Sequence, residues 1–112
     1  NHHEGQDVSG LAYEAYEEMA SEVALKILAE VREEHCVGRC AVAHRLGEVP
    51  IGESSILVVV ASAHRVETFT AAREIMDRIK REVPIFKREF LADGGDHWVG
   101  ELPMPDGPPG DQ

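Results

Sequence analysis

The spacing of apolar residues changes period several times along the chain, and each change marks an element. Val8 to Tyr16 alternates, with Leu11, Tyr13 and Ala15 on one side and Ala12, Glu14 and Tyr16 on the other, as a half-buried strand does. From Glu17 to Glu34 the repeat lengthens: Met19, Val23, Ile27 and Val31 recur every four residues beside Ala20, Ala24 and Leu28, an apolar stripe on a helix that Val37-Gly38 ends. Cys40 to Leu46 reads as a second strand and Gly47 to Glu53, with Pro50 and Gly52, as a turn. Ile56 to Ala61 is apolar on both faces, which predicts a third strand at the centre of a sheet. Val66 to Val83 is helical, with Phe69, Ala72, Met76, Ile79 and Val83 at spacings of three and four, and Pro84 closes it. Ile85 to Leu91 and His97 to Val99 form a hairpin across Asp93-Gly94-Gly95-Asp96.

Strand, helix, strand, strand, helix and hairpin describe an α+β two-layer sandwich: a mainly antiparallel sheet, two helices on one face, and a C-terminal hairpin. Residues 1–102 are expected to form one domain, and the Pro- and Gly-rich residues 103–112 a flexible tail that orders only against a partner. A hydrophobic fraction of 43% with 29% charge fits a soluble globular protein. No apolar run approaches the roughly 20 residues that span a bilayer. The first ten residues lack the basic and apolar regions of a secretory signal, so the expected location is the cytoplasm, with no membrane role.

A formal net charge of -10 argues against nucleic acid, whose phosphates are held by clustered Lys and Arg. The charge is uneven, however. Between His64 and Glu89 seven basic residues (Arg65, Arg73, Arg78, Lys80, Arg81, Lys87, Arg88) face five acidic ones (Glu67, Glu74, Asp77, Glu82, Glu89), so this segment carries +2 and the remainder -12. Such an island can concentrate a small anion. Arg73, Arg78 and Arg81 are read as members of i,i+4 ion pairs on a solvated helix face. Cys36 and Cys40 match neither a CxxC redox pair nor a zinc pattern and are read as structural thiols. His35 beside them suggests a metal, but a fourth ligand would have to come from elsewhere and nothing in the sequence supplies it, so no metal is expected.

His64 and Arg65 follow the most apolar strand and precede a helix, an address where ligands often sit. Arginine offers a rigid fork of donors for phosphate, and histidine exchanges protons near neutrality; exposed polar residues at a helix start are the plainer reading. Lys80 in the last turn of the second helix and Lys87 just past Pro84 come to one side if the chain reverses at the proline. Two lysines in one pocket repel, which frees an amine for proton transfer. The helix macrodipole alone also accounts for a lysine at position 80. Lys87 alternates with Phe86 and Arg88 on a strand whose two faces differ in burial. No Ser-His-Asp or Cys-His arrangement and no glycine-rich phosphate loop is present, so a nucleophile would come from another molecule.

Several ordered blocks together resemble one family. These are Leu11-Ala12-Tyr13-Glu14-Ala15-Tyr16 with Met19-Ala20, His44-Arg45-Leu46-Gly47, Ile51-Gly52-Glu53, Ala61-Ser62-Ala63-His64-Arg65, Ile79 through Glu89, and Trp98-Val99. Over nearly all of residues 1–102 the chain is similar to the large, catalytic subunit of molybdopterin synthase. The resemblance implies a hammerhead-like fold and a sulfurtransferase of molybdenum cofactor biosynthesis. Its reaction converts cyclic pyranopterin monophosphate to molybdopterin with sulfur from the thiocarboxylated C-terminal Gly-Gly of a small ubiquitin-like subunit. No further cofactor is implied, and the assembly is a homodimer of large subunits within a heterotetramer.

Carried over by position, His64 and Arg65 match a pterin-pocket pair contributed across the dimer, Lys80 and Lys87 the pocket lysines, and Arg88 and Glu89 an extension of the second lysine site. Lys80 is expected as the acid/base group and Lys87 as substrate anchor. Phe86 stands where the family more often has Trp. The family's sequence also implies a strand and an arginine upstream of Asn1-His2-His3. A non-catalytic module binding an anion or pterin phosphate, and a purely structural dimerisation domain, are the competing readings of the same basic island.

Overall fold

The computed structural model describes residues 2–3, 6–92 and 94–99. The expected tail at 103–112, and Asp93 in the hairpin turn, lie outside these residues. In chain order the elements are β1 (His2–His3), β2 (Gln6–Ala15), α1 (Glu17–His35), β3 (Arg39–His44), β4 (Gly47–Val49), β5 (Ile56–Ala61), α2 (Arg65–Glu82), β6 (Ile85–Leu91) and β7 (Asp96–Val99). The fold is α+β, and every strand pairing among the described residues is antiparallel.

Local chemistry explains the helix ends. Glu17 and Glu18 open α1 and Arg32 and His35 close it, each sign placed to oppose the macrodipole. The last turn is capped by Cys36, whose φ of 55° is a left-handed conformation usually left to glycine. Gly38, two residues on, donates its N–H to the Ala61 carbonyl at 3.0 Å, and a Cβ there would lie 2.8 Å from that oxygen. The close approach ties the α1–β3 connection to the end of β5. At the start of α2 the Thr68 hydroxyl and amide both donate to the His64 carbonyl, at 2.7 and 3.0 Å.

The core lies where α1 and α2 pack on β3–β5. Ile27, Val31, Ala71 and Ile75 are wholly buried between the helices, and Val42, Ile56, Val58 and Val60 supply the sheet side. Burial of each large aliphatic side chain is worth about 2 kcal/mol. The second sheet runs β7–β6–β2, with β4 on the other edge of β2 beside Leu11 to Tyr13 and β1 folded back on the start of β2.

Two expectations are corrected. Ile56 to Ala61 is a strand with those bounds, but it is not central: it pairs with β3 alone among the described residues, and Leu57 and Val59 are 61% and 49% exposed. A strand apolar on both faces asks for cover on both, and among the described residues the helices cover one face and leave Leu57 and Val59 exposed on the other. Gly47 to Val49, expected as part of a turn, is a short strand because Val49 pairs with Leu11 and is buried. The turn is confined to Pro50 to Glu53, closed by the Glu53 amide on the Pro50 carbonyl at 3.1 Å.

Candidate functional site

The β2–β6 ladder decides which side chains can meet. Residues directly opposite in an antiparallel pair share a face, so Ile85 with Ala15, Lys87 with Tyr13, and Glu89 with Leu11 form three successive rows on one face. Phe86, Arg88 and Phe90 point to the other. There the Arg88 guanidinium lies 4.1 Å from the Trp98 ring centre and Phe86 meets Tyr16 edge-on. Of the residues expected to extend the second lysine site, Glu89 therefore sits beside Lys87, and Arg88 is turned to the opposite face.

Half-buried Lys87 and buried Glu89 line a hollow of about 190 Å³ whose far wall is the turn Pro50, Ile51, Gly52 and Glu53. Arg45, one residue past β3, holds that turn through a 2.7 Å ion pair from its Nη1 to Glu53 Oε1. A second, more apolar hollow of about 260 Å³ lies at the Ala15–Ile85 row and reaches α1, the end of α2 and His44. The His44 ring packs edge-on against Tyr13 at 4.7 Å between centres. Its Nδ1–H donates to the Arg45 carbonyl at 2.6 Å. Burial lowers the His44 pKa below 6.5, and the Arg45 hydrogen bond opposes this in part, so the ring is neutral at pH 7 with Nε2 as its acceptor.

The remaining expected residues lie at the two ends of α2. His64 and Arg65 are exposed at its start and Lys80 is exposed in its last turn. At about 1.5 Å per residue they are separated by on the order of 20 Å along the axis. Within one chain, Lys80 and Lys87 occur on consecutive elements joined at Pro84, while His64 and Arg65 lie at the opposite end of α2 from Lys80. Neither lysine takes part in an ion pair among the described residues.

The other basic residues of the island are committed. Arg78 bridges Glu82 at 2.7 Å and Glu30 of α1 at 2.8 Å, Arg81 approaches Glu82 at 3.7 Å, and Arg73 approaches Asp77 at 4.0 Å. His35 meets Glu74 across the two helices at 2.9 Å, and with Glu34 these residues present three ligand atoms within 4.8 Å of one another. Glu74 is distant in sequence, so the grouping has no local signature. Cys36 and Cys40 are both free thiols; burial raises the Cys40 pKa, offset in part by Arg32. Tyr13, His44 and Glu53 belong to the site region and escape a reading of spacing, because only tertiary folding brings them to Lys87.

Residues 1–82 match the family model described as MoaE protein. The chain is 40% identical over 103 residues to molybdopterin synthase catalytic subunit 1 of Mycobacterium tuberculosis, covering 92% of this chain and 69% of that one. It is 46% identical to the molybdopterin synthase catalytic subunit of Oryza sativa subsp. indica, covering 81% of this chain and 47% of the relative. The chain thus spans between about half and about two thirds of these relatives' own length. Among solved structures, molybdopterin synthase from Staphylococcus aureus superposes with a TM-score of 0.82 at 34% identity, covering 88% of this chain and 71% of the other. No described helix is long and apolar enough to cross a membrane. By family model, sequence identity and fold together, this chain belongs to the MoaE protein family.

Proposed function

We propose that the chain acts as a molybdopterin synthase catalytic subunit. As a sulfurtransferase, it converts cyclic pyranopterin monophosphate to molybdopterin with sulfur from the thiocarboxylated C-terminus of a small ubiquitin-like partner. The observation that carries this reading is the placement of Lys87 beside Glu89 in a hollow under the 50–53 turn, in a chain of this family. A half-buried ammonium suits a phosphate anchor, because Coulombic attraction grows as water is excluded. Lys80, exposed at the end of α2, is assigned proton transfer at the carbons that receive sulfur. The donor brings its own nucleophilic sulfur, which accounts for a site without a cysteine.

His64 and Arg65 are assigned to the substrate pocket of a second copy, since the length of α2 keeps them from Lys80 in their own chain. The outer face of β3–β5, with Leu57 and Val59 exposed, supplies apolar surface of the kind that self-association buries. Arg88 is assigned an indirect part, fixing the β6–β7 pair through Trp98. The reaction is assigned to the cytoplasm.

The test mixes the chain with thiocarboxylated small subunit and cyclic pyranopterin monophosphate. Lys80→Ala is expected to abolish product while the small subunit still binds, and full activity in that variant refutes the assignment. Mixing Lys80→Ala chains with His64→Ala/Arg65→Ala chains is expected to restore about a quarter of wild-type activity, because half of the randomly formed two-fold dimers then hold one intact site of two. No restoration removes the shared site. Ligand binding without turnover in the wild-type chain indicates an anion-binding module instead.

A further inference from the structure

The Tyr13–Lys87 row separates the two hollows on the β2–β6 face, with Ala15 and Ile85 opening on the larger and Leu11 and Glu89 on the smaller. Both walls of Lys87's surroundings are held by consecutive residues from the end of β3. On one side the His44 ring meets Tyr13 edge-on at 4.7 Å, and Tyr13 stands directly across the ladder from Lys87. On the other, Arg45 pairs at 2.7 Å with Glu53, whose turn lines the hollow that Lys87 enters. The His44 ring cannot swing freely, because its Nδ1–H is bonded to the Arg45 carbonyl at 2.6 Å.

We propose that His44-Arg45 is a two-armed positioning device for Lys87: His44 braces Tyr13 against the lysine stem, and Arg45 keeps the Glu53 carboxylate from capturing the ammonium. The inference rests on the reading of Lys87 as substrate anchor and adds residues that hold it. A lysine side chain has four flexible torsions, and confining its stem before substrate arrives removes an entropic cost from binding. Glu53, were it released, would compete with substrate phosphate for the same cation. The charged and titratable groups around His44 are Tyr13 of β2, Lys87 beyond it on β6, Glu17 of α1 across the larger hollow, and Arg45. None of these is an acid bonded to the ring, so the arm works by packing and not by relaying a proton.

The test is a double-mutant cycle read by both kinetics and NMR, with the full chain and thiocarboxylated partner. His44→Ala is expected to raise KM for the pterin about tenfold, the order of freeing one lysine's rotamers, with kcat within about twofold. Arg45→Ala moves KM in the same direction. His44→Ala/Lys87→Ala is expected to be no worse than Lys87→Ala alone, because His44 acts only through the lysine. His44→Phe keeps the edge contact with Tyr13 and is expected to retain most of the wild-type KM, which separates positioning from folding if the alanine variant is unstable. In the free subunit, the Lys87 side-chain NMR signal shifts in His44→Ala and stays in place in a His35→Ala control.

Additive effects in the cycle, an unmoved Lys87 signal, or a His44→Phe variant as impaired as a well-folded His44→Ala variant each overturn the proposal. Should Lys87→Ala leave turnover intact, the anchor reading fails by itself, and the NMR shift still reports whether His44 positions the lysine.

Discussion

Replacing Gly38 with alanine probes the contact that ties the α1–β3 connection to the end of β5. The added Cβ would lie 2.8 Å from the Ala61 carbonyl oxygen, where carbon and oxygen ordinarily settle about 3.3 Å apart or more. The two backbones must therefore part by about half an ångström. The same oxygen accepts the Gly38 N–H at 3.0 Å, so relief of the clash stretches that bond toward the limit at which it counts as one. The lost bond is worth about 1 kcal/mol and the residual overpacking about 1 to 2 kcal/mol, giving about 2 to 3 kcal/mol in all. For a domain of this size that lowers Tm by on the order of 10 °C. Urea unfolding should show a lower midpoint with an unchanged slope. Gly52→Ala is the control: its φ is +88° with nothing within 4 Å, so it carries only the conformational penalty of about 1 to 2 kcal/mol. A Gly38→Ala loss below about 0.5 kcal/mol would show that β5 yields at no cost, and the steric reasoning would be wrong.

Cys36→Gly should stabilise the protein by about 1 kcal/mol, since glycine occupies the left-handed helix cap without strain; the thiol gives up only a weak 3.8 Å contact to the Glu33 carbonyl. A thermal melt should show a rise of a few degrees, and an unchanged Tm would count against strain at φ 55°. Arg78→Ala removes a link between the helices worth about 1 kcal/mol at pH 7, a modest figure because Glu30 and Glu82 are partly exposed. The Arg78 hydrogen bond is the largest cause holding the Glu82 carboxyl below 4.5, with attraction to Arg78, Arg81 and Lys26 adding to it against the opposing effect of burial. A carboxyl with a lowered folded pKa contributes stability that is present above its ordinary value and lost as pH falls through the lowered one. Melts of wild type and Arg78→Ala should therefore converge under acid conditions, and a gap that persists at about pH 2 would assign the effect to packing of the arginine stem.

Elements with strong periodicity were legible in the sequence because their period reports a face that one chain buries by itself. The stripe of Ile27 and Val31 does this directly, and β6 has the bounds its alternation indicates. Of the α2 stripe, Ile79 and Val83 are buried, but Phe69 is 70% exposed and the buried face runs instead through Ala71 and Ile75. β5 shows the limit of the inference. Leu57 and Val59 are as apolar as Val58 and Val60, so pattern alone places the strand at a sheet's centre, yet their face has no cover from the described chain. Apolar periodicity records that a surface is to be buried and not which molecule buries it.

The same distinction governs the site. Lys87 and Glu89 lie two residues apart on one strand, so their shared face follows from strand geometry, as does the separation of Arg88 from them. His64 and Lys80 lie sixteen positions apart on a rigid helix, and the geometry that fixes each also keeps them apart in one chain. A single pocket that uses both requires a second copy, and the outer face of β3–β5 is one of the places where the described chain leaves apolar surface exposed, as is the start of α2 with Val66 and Phe69. His44 and Tyr13 are a third case: thirty-one positions separate them, and their contact depends on how β3 meets the β2–β6 sheet, which no local pattern encodes. What a sequence states about a site is thus the part written within one element; the remainder belongs to packing between elements and, in the shared site proposed for His64 and Arg65, to packing between chains.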